Sequence, residues 1–404
     1  MKKVPKTRFT NYQDIWSETN LSTISPLRGG FAFKSKEFQN FGIPIIRISN
    51  ILSNGKVGGE FACYYKLPKD SKFILKGRSI LLAMSGATTG KIAVLDSEEE
   101  YYQNQRVGYF KKTGKVDYDF LTALLQTKQF ANQLNLVLVA GAQPNISSKE
   151  IDAFRFVVPK NFEEQSAIGS LFRTLDDLLA AYKDNLVNYQ AFKASMLSKM
   201  FPKAGQTVPE IRLDGFEGEW KIKELGKVIK FYSGLTYKPS DVLSSGTLVL
   251  RSSNVRDGEL IYKDNVFVNP DIVNCQNVKL GDIVVVVRNG SRDLIGKHAL
   301  IKSEMPNTVI GAFMTGVRCD NPEFINALLD TKRFISEINR NLGSTINQIT
   351  TGNFKRMKFY FPLKDEQRAI GSFFSNLDTF ISSYQDKISQ LEALKKKLLQ
   401  DMFI

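Results

Sequence analysis

The sequence predicts an α+β protein built as two tandem copies of one plan. Three observations carry that prediction: an internal repeat running the length of the chain, short β-branched apolar runs in each copy, and a long heptad seam closing each copy. The repeat is plain in the 404 residues. VPKTRF at 4–9 matches VPEIRL at 208–213, Trp16 matches Trp220, and RISNI at 47–51 matches RSSNV at 251–255. DFLTALLQTKQF at 119–130 matches EFINALLDTKRF at 323–334, and EEQSAIGSLFRTLD at 163–176 matches DEQRAIGSFFSNLD at 365–378. The offset stays within 202–206 residues. Two copies are too few for a solenoid and predict instead an internal pseudo-dimer with pseudo-two-fold geometry.

Each copy divides into a mixed globule and a helical tail. The expected boundaries are 1–157 and 205–359 for the two α/β globules, and 158–204 and 360–404 for the tails. Within the globules, IPIIRIS (43–49), SILLAM (79–84), TLVLRS (247–252) and DIVVVV (282–287) have the length and β-branched content of strands. LSNGKVGG (52–59) and NVRDGEL (254–260) carry the Asn-Gly and Asp-Gly signals of tight hairpins. One helix per globule follows, at about 117–135 and 321–340.

In the first tail Ile168, Leu175, Tyr182, Tyr189 and Met196 recur every seven residues, with Phe172, Leu179, Leu186, Lys193 and Met200 four residues on. The second tail repeats the pattern with Ile370, Leu377, Tyr384, Leu391 and Leu398, then Phe374, Ile381, Ile388, Lys395 and Met402. A 3,4 seam this long predicts a coiled coil. The simplest closure pairs the two tails antiparallel, as a rod of roughly 50 Å with a globule at each end. Both copies carry lysine at one seam position, Lys193 and Lys395. Two explanations stand side by side: a polar residue that fixes register, or a lysine that snorkels while Phe192 and Leu394 take over the packing.

Composition narrows the function. Hydrophobic content of 43% and charged content of 24% are those of an ordinary globular protein. No run of 18 apolar residues and no apolar leader segment occur, which predicts neither membrane span nor secretion. Three scattered cysteines (Cys63, Cys275, Cys319) fit reduced thiols in a cytoplasm. The formal charge of +14 makes a nucleic acid the first candidate partner.

Catalytic signatures fail on inspection. SGATTGKI (85–92) lacks the spacing of a phosphate loop, and its counterpart NGSRDLIGKH (289–298) differs in length. NPEF (321–324) lies where DYDF (117–120) lies in the first copy, so a helix start explains it better than a methyltransferase motif. His298 is the one histidine, and the cysteines show no metal-ligand spacing. Asp176 and Asp378 are duplicated beside the seam, where capping or salt bridging accounts for them. The chain is expected to be no enzyme by itself, with no cofactor or metal of its own.

Bases are read by Arg, Asn, Gln and Lys, and phosphates by Lys, Arg and backbone amides. Shared residues are expected to hold the frame or touch the DNA backbone: Arg47 and Arg251, Asn50 and Asn254, Lys34 and Lys238, Lys91 and Lys297. For Arg47, Asn50 and their counterparts a structural hydrogen bond is the competing role. Three loops differ between copies: 84–91 against 288–297, 101–106 against 307–312, and 140–147 against 343–350. Their polar residues are candidate base readers: Gln105, Arg106, Gln143 and Asn145 in the first copy, and Arg288, Asn289, Arg292, Asn347 and Gln348 in the second.

The ordered set of VP-x-x-R-[FL], Trp16/Trp220, Leu21/Leu225, R-x-S-N-[IV], the GK pairs at 90–91 and 296–297, EQ-x-AIG and the heptad helix ending in Met-Phe resembles the specificity subunit of Type I restriction–modification systems. The resemblance covers the whole chain. It implies that each globule is a target recognition domain for one half of a bipartite, asymmetric sequence in double-stranded DNA. It implies that the helices act as a ruler and dock two DNA adenine methyltransferase subunits, which restriction and translocase subunits join. S-adenosylmethionine, ATP and magnesium would then belong to those partners. The alternative is a DNA- or RNA-binding scaffold that dimerises through its coiled coil without restriction partners.

Overall fold

The computed structural model describes residues 4–66, 68–140, 145–342 and 347–404. The chain divides into two compact units, residues 1–183 with 387–404, and residues 184–386. Two 38-residue helices, Phe162–Lys199 and Lys364–Asp401, each contribute to both.

The units share one antiparallel sheet and the three-stranded core of a second, whose fourth strand lies on opposite edges in the two units. In the first, an antiparallel sheet orders strands Leu27–Arg28, Val107–Phe110, Ser79–Ala83 and Ile92–Leu95. A second sheet orders Ala62–Tyr64, Ile43–Ile46, Tyr101–Gln103 and Ile74–Leu75, with its middle pair parallel. In the second unit the sheets are Lys230–Ser233, Met314–Arg318, Ile283–Val286, His298–Leu300 and Val242–Leu243, Val266–Val268, Thr247–Leu250, Thr308–Ile310. Here the parallel pair is the last one, Thr247–Leu250 with Thr308–Ile310, and the pair before it is antiparallel. A short antiparallel pair, Ser17–Asn20 with Arg155–Val158 and Lys221–Glu224 with Lys358–Phe361, ties the start of each globule to the strand before its long helix. The Asp-Gly signal closes the hairpin Val255–Arg256 to Glu259–Leu260, with Asp257 and Gly258 both at positive φ, as a tight two-residue turn requires.

The single helix expected in each globule is two. Tyr118–Leu124 and Lys128–Ala140 are separated at Thr127, as Pro322–Leu329 and Lys332–Asn341 are at Thr331. Each threonine hydroxyl donates to a carbonyl three residues back (2.7 Å) and caps the amide three residues on, so it ends one helix and starts the next.

The seam residues behave as the heptads require. Ile168, Phe172, Leu175 and Leu179 are buried, and Tyr182, Leu186 and Met196 are half-buried. Ile370, Phe374, Leu377 and Ile388 are buried, with Ile381, Tyr384, Leu391 and Leu398 half-buried. Within the first unit the helices run antiparallel, because the end of the second meets the start of the first: Phe403 packs on Phe172 and Phe120 at 5.7 and 5.3 Å. The second unit shows the same arrangement, with Phe201 against Phe374 and Phe324 at 6.1 and 5.6 Å. The Met-Phe ending of each tail is therefore a core plug. Met402 and Phe403 join Trp16, Phe120 and Phe156, while Met200 and Phe201 join Trp220, Phe324 and Phe361.

Candidate nucleic-acid interface

Strand Ser79–Ala83 runs out at Met84, and three loops meet there. Met84 N donates to Arg106 O and Met84 O accepts from Ile146 N, both at 2.9 Å. Ser85 bridges to Asn145, and Gly90 N returns to Ala83 O at 2.8 Å. The Thr88 hydroxyl reaches Ile48 O at 3.4 Å, bringing in the Arg47–Asn50 turn. The second unit builds the same rim around Val287. Val287 N donates to Phe313 O (3.0 Å), Ile349 N to Val287 O (2.9 Å), and Arg288 bridges to Gln348. The Asn289 amide reaches the Ser252 hydroxyl at 2.9 Å, bringing in the Arg251–Asn254 turn. The loops singled out by their divergence thus share one rim in each unit. The pairing corrects one register: Arg106 answers to Phe313, one residue beyond the loop 307–312.

On this rim Lys91, Gln105, Arg106 and Asn145 are exposed in the first unit, and Arg288, Arg292 and Lys297 in the second. Lys34 and Lys238 are exposed on neighbouring loops, Lys34 facing Glu37 at 3.4 Å. Asn347 and Gln348 are half-buried. Gln143 lies outside the described residues.

Two shared pairs make the structural hydrogen bonds that are one of their two expected roles. Asn50 and Asn254 are buried, with their side chains fully engaged. Asn50 Oδ1 accepts from Arg47 N (3.0 Å), and its amide donates to Gly58 O and Glu60 O at 3.0 and 2.9 Å. Asn254 repeats this with Arg251 N and Ile261 O. They brace the turn, with no donor or acceptor left over for a phosphate. Arg47 and Arg251 lean on the same loops through Glu60 O (3.4 Å) and Asp264 O (2.6 Å). Asn289 is also a brace, since its amide holds Ser252 and its carbonyl accepts from Ser291 N at 3.0 Å. Asn347 donates to Gly290 O at 2.9 Å, and Arg292 to Asn339 O at 3.3 Å.

The repeated motifs outside the loops turn out to hold the frame. Arg8 grips Glu164 through two bonds of 2.6 and 2.8 Å, and Trp16 Nε1 donates to the same carboxylate at 3.2 Å. Arg212, Glu366 and Trp220 repeat the triad at 2.8, 2.7 and 3.2 Å. Gln165 and Gln367 anchor the same helix starts to Pro159 O and Pro362 O. In the glycine of AIG, a Cβ would fall 2.4 Å from Phe120 N at Gly169 and 2.7 Å from Phe324 N at Gly371. Glycine is there to let the long helix press on another helix start.

The seam lysines hold charge. Lys193 Nζ lies 2.5 Å from Asp330 and 2.6 Å from Asp378. Lys395 meets Asp176 and the Gln126 carbonyl. The snorkelling alternative fails, because Phe192 and Leu394 remain exposed. In the second unit His298 joins the cluster, its Nε2 3.3 Å from Asp330 and its Nδ1 3.0 Å from Gly296 O. Both ring nitrogens face acceptors, as a doubly protonated imidazole needs. Burial works against that charge, but Asp330 outweighs it and the histidine pKa rises. Burial likewise pushes Asp330 up, yet His298 and Lys193 win and hold it at about 2. For Asp378 burial prevails over Lys193 and the pKa rises.

These rims carry donors, cations and loop variability. Among the described residues no cluster of three or more His, Cys, Asp or Glu could hold a metal, and no helix is long and apolar enough to cross a membrane. The Type I restriction modification DNA specificity domain matches twice, at residues 13–188 and 217–393, one copy per half. The chain belongs to that family. The MjaVIII specificity subunit of Methanocaldococcus jannaschii is 22% identical over 82% of this chain and 79% of its own length. The EcoKI specificity subunit of Escherichia coli is 24% identical over 45% of this chain and 41% of its own. The S subunit of the Type I system from M. genitalium superposes with a TM-score of 0.67 at 16% identity, over 99% of both chains, so the fold is shared end to end. A Type I specificity subunit recognises DNA sequence, and the family assigns that role to this chain.

Proposed function

We propose that each unit binds one half of a bipartite, asymmetric target in double-stranded DNA. The observation that supports this most is the doubled rim: one hydrogen-bonded frame, repeated, dressed with unlike exposed side chains. A shared frame suits phosphate contact and unlike tips suit separate sequences. The test is to replace residues 1–157 with the corresponding part of a relative. One half of the methylated sequence should change and the other should not. A change in both halves refutes independent reading.

The long helices agree at 16 of 38 aligned positions (164–201 against 366–403). Two similar helices suit two identical partners, so they are proposed to dock two DNA adenine methyltransferase subunits, which restriction and translocase subunits join in the cytoplasm. S-adenosylmethionine, ATP and magnesium are assigned to those partners, and this chain is read as the non-catalytic specifier. The scaffold without restriction partners has no observation in its favour once the family is known.

A further inference from the structure

The strand end at Val287 carries an arrangement that the first unit lacks. Arg288 and Phe313 are backbone neighbours there, with Arg288 N donating to Phe313 O at 3.1 Å. The Arg288 guanidinium lies over the Phe313 ring, 5.0 Å from its centroid. Both are exposed, Phe313 by 53%. Among the described residues no carboxylate lies within ion-pair distance of Arg288. The same two positions in the first unit hold Ser85 and Arg106, on the same hydrogen-bonded frame. The fold therefore does not dictate what stands there. A large apolar ring left half in water, roofed by an unpaired cation, is a poor choice for stability alone.

We infer that Arg288, held flat on Phe313, reads a guanine in the half-site bound by the second unit. The inference rests on the two-half reading above. Arginine's fork matches guanine O6 and N7, the commonest specific major-groove contact. A phosphate contact does not need that fixed geometry. Exposed shared lysines, Lys91 and Lys297, already suit the DNA backbone. Seating a guanidinium on an aromatic face restricts its rotamers before DNA arrives, so less freedom is lost on binding. Gln348, bridged to Arg288 by its backbone, stands next to it with a carboxamide suited to an adjacent adenine.

The experiment measures binding of the assembled modification complex to duplexes carrying each base at every position of the target. The parent chain should prefer one guanine in the second half-site by about tenfold or more. R288A should flatten that preference to within a few-fold, R288K should do so while keeping overall affinity, and F313A should weaken it. Discrimination in the first half-site should stay intact, which separates a reading defect from misfolding. A second half-site without guanine overturns the assignment. So does R288A with its preference intact, or R288A weaker on every duplex alike with a salt slope reduced by about one, the mark of a phosphate contact. Loss of discrimination in both halves overturns it too, since the residue would then act through the fold. A parent complex with no two-part preference defeats the two-half reading itself.

Discussion

Glu164 and Glu366 show how much a single residue organises. Each carboxylate satisfies an arginine and a tryptophan from the start of its globule, about 150 residues away in sequence, and each is buried. Glu164→Ala leaves Arg8 and the Trp16 indole without their partner, and breaking a buried pair this way costs about 3–5 kcal/mol. Hydrogen exchange should show the loss in the first unit alone, with Glu366→Ala doing the same to the second. The exposed Lys34–Glu37 pair should cost under about 1 kcal/mol when cut. At Gly169 an ordinary rule reverses. Glycine to alanine inside a helix usually gains about 1 kcal/mol. Here the added methyl meets backbone at 2.4 Å, so G169A should lose about 1–3 kcal/mol in a thermal melt. The sequence displayed all these residues as repeats but not what they touched. VP-x-x-R and EQ-x-AIG recur together, and nothing in one chain states that the first closes on the second. Asn50 was ambiguous for another reason: an amide in a loop looks alike whether it meets a phosphate or a carbonyl. Only the fold of 58–60 back over it decides.

At the scale of elements, heptad spacing announced the long helices and their burial, while the break at Thr127 and Thr331 stayed hidden because threonine is tolerated in mid-helix. The seam lysine was visible, and so were Asp176 and Asp378 as duplicated aspartates, but their pairing needed the antiparallel geometry. The two clusters are built on different chemistry. Lys395 faces Asp176 and neutral Gln126, with Ile92 in the histidine's place, whereas Lys193 faces Asp378 and Asp330, with His298 balancing the extra carboxylate. Because the folded pKa of His298 is raised, its contribution is complete below the unfolded value of about 6.5 and disappears as pH rises through the folded one. Asp330 acts at the acid end, where its contribution is lost as pH falls from about 4 toward about 2. Asp378, shifted upward, opposes it within the carboxylate range. The second unit should therefore lose up to about 1.4 kcal/mol per pH unit above roughly 6.5. The double change His298→Ile with Asp330→Gln, copying the first unit, should remove that slope in pH-dependent unfolding. His298→Ile alone should be the more damaging, since it strands Asp330.

For the whole molecule, the basic balance and the doubled rim make two predictions. Affinity of the assembled complex for its target should fall with salt at a log–log slope of about −0.9 per phosphate neutralised, and a flat response would exclude extensive backbone contact. Four residues inserted after Asn185 and again after Lys387 add about 6 Å of helical rise and slightly more than one turn to each helix. The gap between half-sites should then lengthen by one or two base pairs, at about 3.4 Å each, with the bases in each half unchanged in the methylated consensus. The division into two units was legible from the repeat, but which residues complete which core was not, since Met-Phe reads simply as the last turn of a heptad helix. That detail bears on time. Residues 184–386 are contiguous and gain Met200 and Phe201 as soon as they are made. The globule made first instead lacks Met402 and Phe403 until some 200 further residues have left the ribosome. At about 5–20 residues per second that is roughly ten to forty seconds, during which Trp16, Phe120 and Phe172 present an open apolar socket. Order of synthesis and order of completion run opposite ways, and a chaperone is most needed by the half of the protein that is oldest.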